Sequence, residues 1–130
     1  MKRMLLVMSM VLLSMSGCIN AKPMSIEERL AHEFYKLNDQ GYFKEMVGVT
    51  YELSYEGVFT ISKKGSYDLN TDIVKVKSCE VLAETMEAVD DSSCRKKDLE
   101  KAAQIYEAFK IELGRLDISK DELLEFLDKE

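Results

Sequence analysis

Cys79 and Cys94, with fourteen residues between them, Cys18, the single histidine His32, and the run Asp68-Leu69-Asn70-Thr71-Asp72 are the residues whose types could do chemistry. A redox or metal-binding cysteine pair calls for Cys-x-x-Cys spacing or a histidine close by, and neither is present. The two distal cysteines are therefore expected to form a disulfide, contributing roughly 3 kcal/mol through the entropy of the loop they close. His32 has no second histidine, so neither a zinc cluster nor a Ser–His or Cys–His pair can be assembled in the usual way. Asp68, Asn70 and Asp72 match the first, third and fifth positions of a calcium loop. The sixth is Ile73 where glycine is needed, and the twelfth is Cys79 where a bidentate glutamate is needed. That run reads as an Asx-rich connector. Five of the eight methionines lie within the first fifteen residues, leaving Met24, Met46 and Met86 too scattered for a soft-metal carrier. No catalytic residue, metal ligand or cofactor is expected, and the chain is not expected to be an enzyme. Tyr35, Tyr42, Tyr51, Tyr55 and Tyr67 crowd the first half of the domain, as binding-surface residues or as core edges with a wet hydroxyl.

The N-terminal 21 residues have the pattern of an export signal. Lys2 and Arg3 precede an apolar run from Met4 to Leu13, which is too short for a stable membrane anchor, and small residues follow. Met15-Ser16-Gly17-Cys18 resembles a bacterial lipobox, which implies cleavage before Cys18 and acylation of that cysteine. Cleavage after Ala21 is the alternative. Either cut leaves a single mature domain (residues 22–130 in the second case) on the periplasmic side of a bacterial cell envelope, lipid-anchored or soluble. Loss of Lys2 and Arg3 moves the formal net charge from −6 to −8. So acidic a body excludes nucleic-acid binding, which needs clustered cations against phosphate.

The elements that would hold these residues are read as helices. Ser25-Ile26-Glu27-Glu28 is a capping box, followed by Ile26, Leu30, Phe34 and Leu37 on one face, with Gly41 placed to end the helix. Residues 42–64 fit two periods. Val47 to Tyr55 alternate as a strand does. At helical period, Glu45, Glu52, Glu56 and Lys63 share one face and Lys63-Lys64-Gly65 makes a good stop. Because Glu56-Gly57 would make a poor two-residue hairpin turn, this stretch is read as helix, with a hairpin within 47–62 as the alternative. Cys79, Leu82, Ala83, Met86 and Val89 suggest a further helix. Leu99, Ala102, Tyr106, Phe109 and Leu113 mark the longest one, ending at Gly114 and capped from Asp90-Asp91-Ser92-Ser93. Ser119-Lys120-Asp121-Glu122 opens the last helix. The expected fold is all-α: a small disulfide-tied domain of four to five helices, or α+β if the hairpin forms.

The disulfide constrains that fold. In a simple antiparallel helix pair Cys79 and Cys94 would lie roughly 15 Å apart, beyond the reach of about 7 Å between bonded Cα atoms. The bond requires residues 90–93 to run back in extended form beside a short helix over 79–89, with Met86 beneath them.

At Cys79 and Asp90-Asp91-Ser92-Ser93-Cys94 the chain resembles plasmid entry-exclusion lipoproteins. From Cys94 to Tyr106 it is similar to the periplasmic part of some phage antiholins, and its general build to small helical periplasmic immunity proteins. What these resemblances imply is a non-enzymatic envelope protein that binds and blocks another envelope or incoming protein. The alternatives are an accessory lipoprotein of an envelope assembly, or a small hydrolase or ligand carrier. The membrane would be met through the lipid on Cys18.

Overall fold

The computed structural model describes residues 24–90 and 92–129; the expected export signal over residues 1–21, with Cys18, and Asp91 lie outside the described residues. The expectation of an all-α domain is wrong. Seven strands, β1 (Tyr35–Leu37), β2 (Gly41–Met46), β3 (Val49–Ser54), β4 (Val58–Ile61), β5 (Gly65–Asp68), β6 (Ile73–Val76) and β7 (Cys79–Leu82), form one antiparallel sheet in strict sequence order. Three helices, α1 (Ile26–Glu33), α2 (Lys96–Leu116) and α3 (Lys120–Asp128), accompany it.

The physical reason lies in two neighbouring rows that cross every strand. Lys36, Tyr42, Leu53, Phe59, Tyr67, Val74 and Val81 pair side to side from β1 to β7, and all but Lys36 are buried. The next row is Tyr35, Phe43, Glu52, Thr60, Ser66, Lys75 and Glu80, none of them buried. Period-2 alternation is thus kept in register through six successive pairings, so one sheet face is apolar from β3 to β7, with Lys36 and Lys44 its charged members on β1 and β2. The acidic face seen at helical period in residues 42–64 dissolves into this scheme. Glu45 and Glu52 are exposed positions of β2 and β3, while Glu56 and Lys63 sit in turns.

Turn chemistry explains why that stretch is strand. Val47 and Gly48, both at positive φ (51° and 76°), make a two-residue hairpin between the paired Met46 and Val49. At the next turn Glu56 needs no positive φ. Gly57 alone takes it (88°), its N–H donating to the Ser54 carbonyl at 3.0 Å, so the loop is longer than the two-residue turn the sequence argues against. Lys63-Lys64-Gly65, read as a helix stop, is the β4–β5 hairpin, with Lys63 left-handed and Lys64 N–H bonded to the Ile61 carbonyl at 3.0 Å.

The helix expected over 79–89 is also absent. Cys79 and Val81 are fully buried, with Glu80 half-buried and Leu82 exposed between and after them, the period of an edge strand. A reversal at Met86 (φ 60°) then brings residues 87–89 back along β7. Met86 is half-buried against the core.

α1 ends at Glu33, short of Gly41. Its capping box at Ser25 and Glu28 forms as expected, but Phe34 turns to extended backbone and is buried, and the chain enters β1. α2 runs through Gly114 and stops at Asp117, the left-handed residue (φ 55°). Its buried stripe is Asp98, Ala102, Ile105, Phe109, Glu112 and Leu116, while the expected Leu99, Tyr106 and Leu113 are half-buried flanks. This helix packs on β4 to β7 across the largely apolar face, where Phe109 meets Tyr67 edge to face at a centroid distance of 5.0 Å and Phe59 in a tilted contact at 5.5 Å. α3, with its capping box at Ser119 and Glu122, adds the buried Leu123 and Leu127.

Candidate functional site

Three places gather residues capable of chemistry. The first is inside the fold. β2 directs Tyr42 and Lys44 inward by alternation, and α2 carries Glu112 on its buried stripe. Lys44 Nζ lies 2.6 Å from Glu112 Oε1 and 3.8 Å from Glu33 Oε1, with the rings of Phe34 and Tyr51 centred 5.0 and 5.8 Å away. The ammonium is neutralised by a carboxylate and walled by two aromatic faces. Such a lysine serves as a fixed cation that holds α2 over β2; as a nucleophile it would first have to give up its carboxylate partner and its proton. Sequence reasoning missed both residues. The apolar count on α2 passed over Ile105 and Leu116, the residues that centre the stripe and bring Glu112 inside.

The second is the cysteine pair. Cys79 opens β7, Cys94 stands two residues before α2, and they are bonded at S–S 2.10 Å with Cα atoms 4.7 Å apart. The extended return that the bond requires starts earlier than expected. Leu82 N–H donates to the Glu87 carbonyl at 2.9 Å and Val89 N–H to the Glu80 carbonyl at 2.8 Å, while Ser92 Oγ donates to the Glu80 carbonyl at 2.9 Å. The segment covers the outer edge of the sheet, and the disulfide pins it there. Its role is architectural.

The third is the sheet face turned away from α2. Tyr35, 70 % exposed, rests against Phe43 at 5.6 Å between centroids, and the exposed row runs on through Glu52 to Glu80. Beside this row the sheet is hollowed. A concavity of about 380 Å³ is lined by Leu37, Ser54, Tyr55, Val58 and Thr60 together with the acids Asp39, Glu52 and Glu56.

Asp68 Oδ1 accepts from the Asn70 backbone N–H at 2.9 Å, an Asx turn, and Asp72 Oδ1 accepts from Tyr67 Oη at 2.5 Å. Burial, and then this bond to Asp72, hold the Tyr67 phenol far above its ordinary range. Lys120 Nζ also stands 3.5 Å from Asp72. These carboxylates are spent on the β5–β6 turn, and among the described residues no group of three or more His, Cys, Asp or Glu could hold a metal ion. His32 is exposed on α1. Of the five clustered tyrosines, Tyr42 and Tyr67 are core, Tyr51 and Tyr55 half-buried, and only Tyr35 is presented to solvent. Among the described residues no helix is long and apolar enough to cross a membrane. No family model, no curated protein and no solved structure matches the chain.

Proposed function

We propose that this is a cell-envelope protein, anchored by an acylated Cys18, that binds and blocks a partner protein through the open face of its sheet. The observation that carries the reading is the division of the sheet into a largely apolar face packed against α2 and a continuous row from Tyr35 to Glu80 that no helix covers among the described residues. An aromatic pair at one end, exposed Tyr35 on half-buried Phe43, and small hydroxyls with interspersed charges along it suit reversible recognition. The buried Lys44–Glu112 pair and the disulfide make the presenting frame rigid, which lowers the ordering cost of binding. The N-terminal signal pattern supports the location.

Site-specific photo-crosslinking in cells tests this. A crosslinker at Thr60, on the open face, should capture one discrete partner, and the same group at Glu100, on the solvent side of α2, should not. Equal capture from both positions, or none from Thr60, would overturn the reading. Intact mass of the membrane-fraction protein should show a diacylated N-terminus at Cys18. A species beginning at Lys22 would instead mean a freely diffusing protein.

A further inference from the structure

The hollow on the open face has a charge that narrows what can fill it. Asp39 belongs to the β1–β2 loop, Glu52 to β3 and Glu56 to the β3–β4 turn, so three separate segments each bring a carboxylate to one concavity. Among the described residues no lysine or arginine lines it. Glu52 and Glu56 are exposed, and neither has an ion-pair partner within 4.0 Å among the described residues. Among the described residues these carboxylates form no group that could hold a metal ion. Between them Leu37, Val58 and Tyr55 supply apolar and aromatic surface beside the polar Gln40, Ser54 and Thr60, and the Tyr55 hydroxyl donates to the Asn38 carbonyl at 3.4 Å.

We infer that this hollow receives a lysine- or arginine-bearing segment of the partner protein, the long side chain lying on Leu37 and Val58 with its cation among Asp39, Glu52 and Glu56. The chemistry is that of amphipathic cations. Three or four methylenes need an apolar bed, and the head needs carboxylates or an aromatic face in water. A volume of about 380 Å³ admits such a side chain with its flanking backbone. The formal charge of −8 after loss of the signal gives the same preference over longer range, steering a basic partner toward the domain. The inference rests on the partner-binding reading above and specifies the chemistry of the partner.

The test uses full-length, disulfide-intact, ¹⁵N-labelled protein and three acetylated, amidated peptides of equal length. One alternates lysine with serine, one glutamate with serine, and one glycine with serine. The lysine peptide alone should give saturating amide shifts at Glu52, Ser54 and Thr60, weakening as salt rises. The double variant Glu52→Lys/Glu56→Lys should bind it about tenfold more weakly, since two exposed attractions become repulsions. The neutral pair Glu52→Gln/Glu56→Gln should fall between. Glu100→Lys/Glu107→Lys makes the same change of net charge on the solvent side of α2 and should alter binding less than about twofold. Equal binding of the glycine or glutamate peptide, equal loss in the α2 variant, or concentration-dependent shifts at the hollow without peptide (a second copy as occupant) would each overturn the inference. A failed titration beside successful capture at Thr60 would sink the cationic-segment inference and leave the partner reading standing.

Discussion

Lys44 Nζ and Glu112 Oε1 are 2.6 Å apart in residues only 5 % exposed, and this contact is the sole charged bond between β2 and the stripe of α2 among the described residues. It fixes where the C-terminal half of α2 lies over the sheet. A buried pair gives little net stability compared with well-packed apolar residues, but breaking one side strands a charge. Glu112→Leu alone should therefore lose about 3 kcal/mol, at the lower end for such pairs because Glu33, 3.8 Å from the same Nζ, remains as a partial substitute. Lys44→Met/Glu112→Leu should recover most of that loss. Urea denaturation of the singles and the double gives the answer. A double variant as unstable as the single would mean that the pair does more than neutralise itself.

The β2–β3 turn stores strain that can be released. Val47 holds φ 51° while 99 % exposed, so a β-branched residue occupies left-handed backbone without any packing in return. Val47→Asn should stabilise the fold by about 1 kcal/mol, because asparagine accepts this conformation and no buried contact is lost. The midpoint of urea unfolding should rise at unchanged slope. An unaltered midpoint would show that the turn carries no strain.

Acid should unfold the helix starts first. The carboxyls of Glu28, Glu122 and Asp98 are held below their ordinary values of 4.5, 4.5 and 3.8, chiefly by the backbone N–H groups of Ser25, Ser119 and Arg95 that they cap. A depressed folded value means that the unfolded chain binds protons first on acidification. The contribution is complete above about pH 4.5 and is lost as pH falls through the folded values. Glu28→Gln/Asp98→Asn/Glu122→Gln should be less stable than the parent at neutral pH and converge with it toward pH 2. A gap that persists undiminished at pH 2 would refute the assignment.

How much of this was legible follows from which signals are local. The caps at Ser25 and Ser119 could be read because a capping box is complete within four residues. The Asx turn at Asp68–Asn70 was legible for the same reason. The sheet was not, since residues 42–64 fit both periods and the deciding contacts, Leu53 beside Phe59 and Phe59 beside Tyr67, lie between strands. Turn chemistry could have settled it. Met46-Val47-Gly48-Val49 has glycine at a hairpin position, masked by the valine before it, and a poor two-residue turn at Glu56-Gly57 did not exclude a longer one closed by Gly57. The hollow on the open face draws on β1 to β4 and two connections, so no single stretch announces it. Two of its acids, Glu52 and Glu56, appeared in the sequence as part of a helix face.

The disulfide supplies the last prediction, because its geometry ties two edges of the argument together. Cys94 is held to Cys79 at the start of β7, and between them residues 87–89 lie along that strand through Leu82 N–H to the Glu87 carbonyl and Val89 N–H to the Glu80 carbonyl. A loop of this length contributes roughly 3 kcal/mol by its effect on the unfolded chain. Cys79→Ser/Cys94→Ser should lower stability by about that amount, provided the small buried hydroxyl at position 79 adds little. More specifically, the return segment should loosen before the sheet does. Amide exchange at Leu82 and Val89 should accelerate by at least tenfold, while that of Phe59 and Tyr67, deep in the central strands, should change only as far as global stability does. Loss of the cover leaves β7 as an open edge, and the variant should self-associate more readily at high concentration. Exchange at Leu82 and Val89 that merely tracks Phe59 and Tyr67 would show that the segment is held by its own hydrogen bonds and that the disulfide is not needed to keep the edge closed.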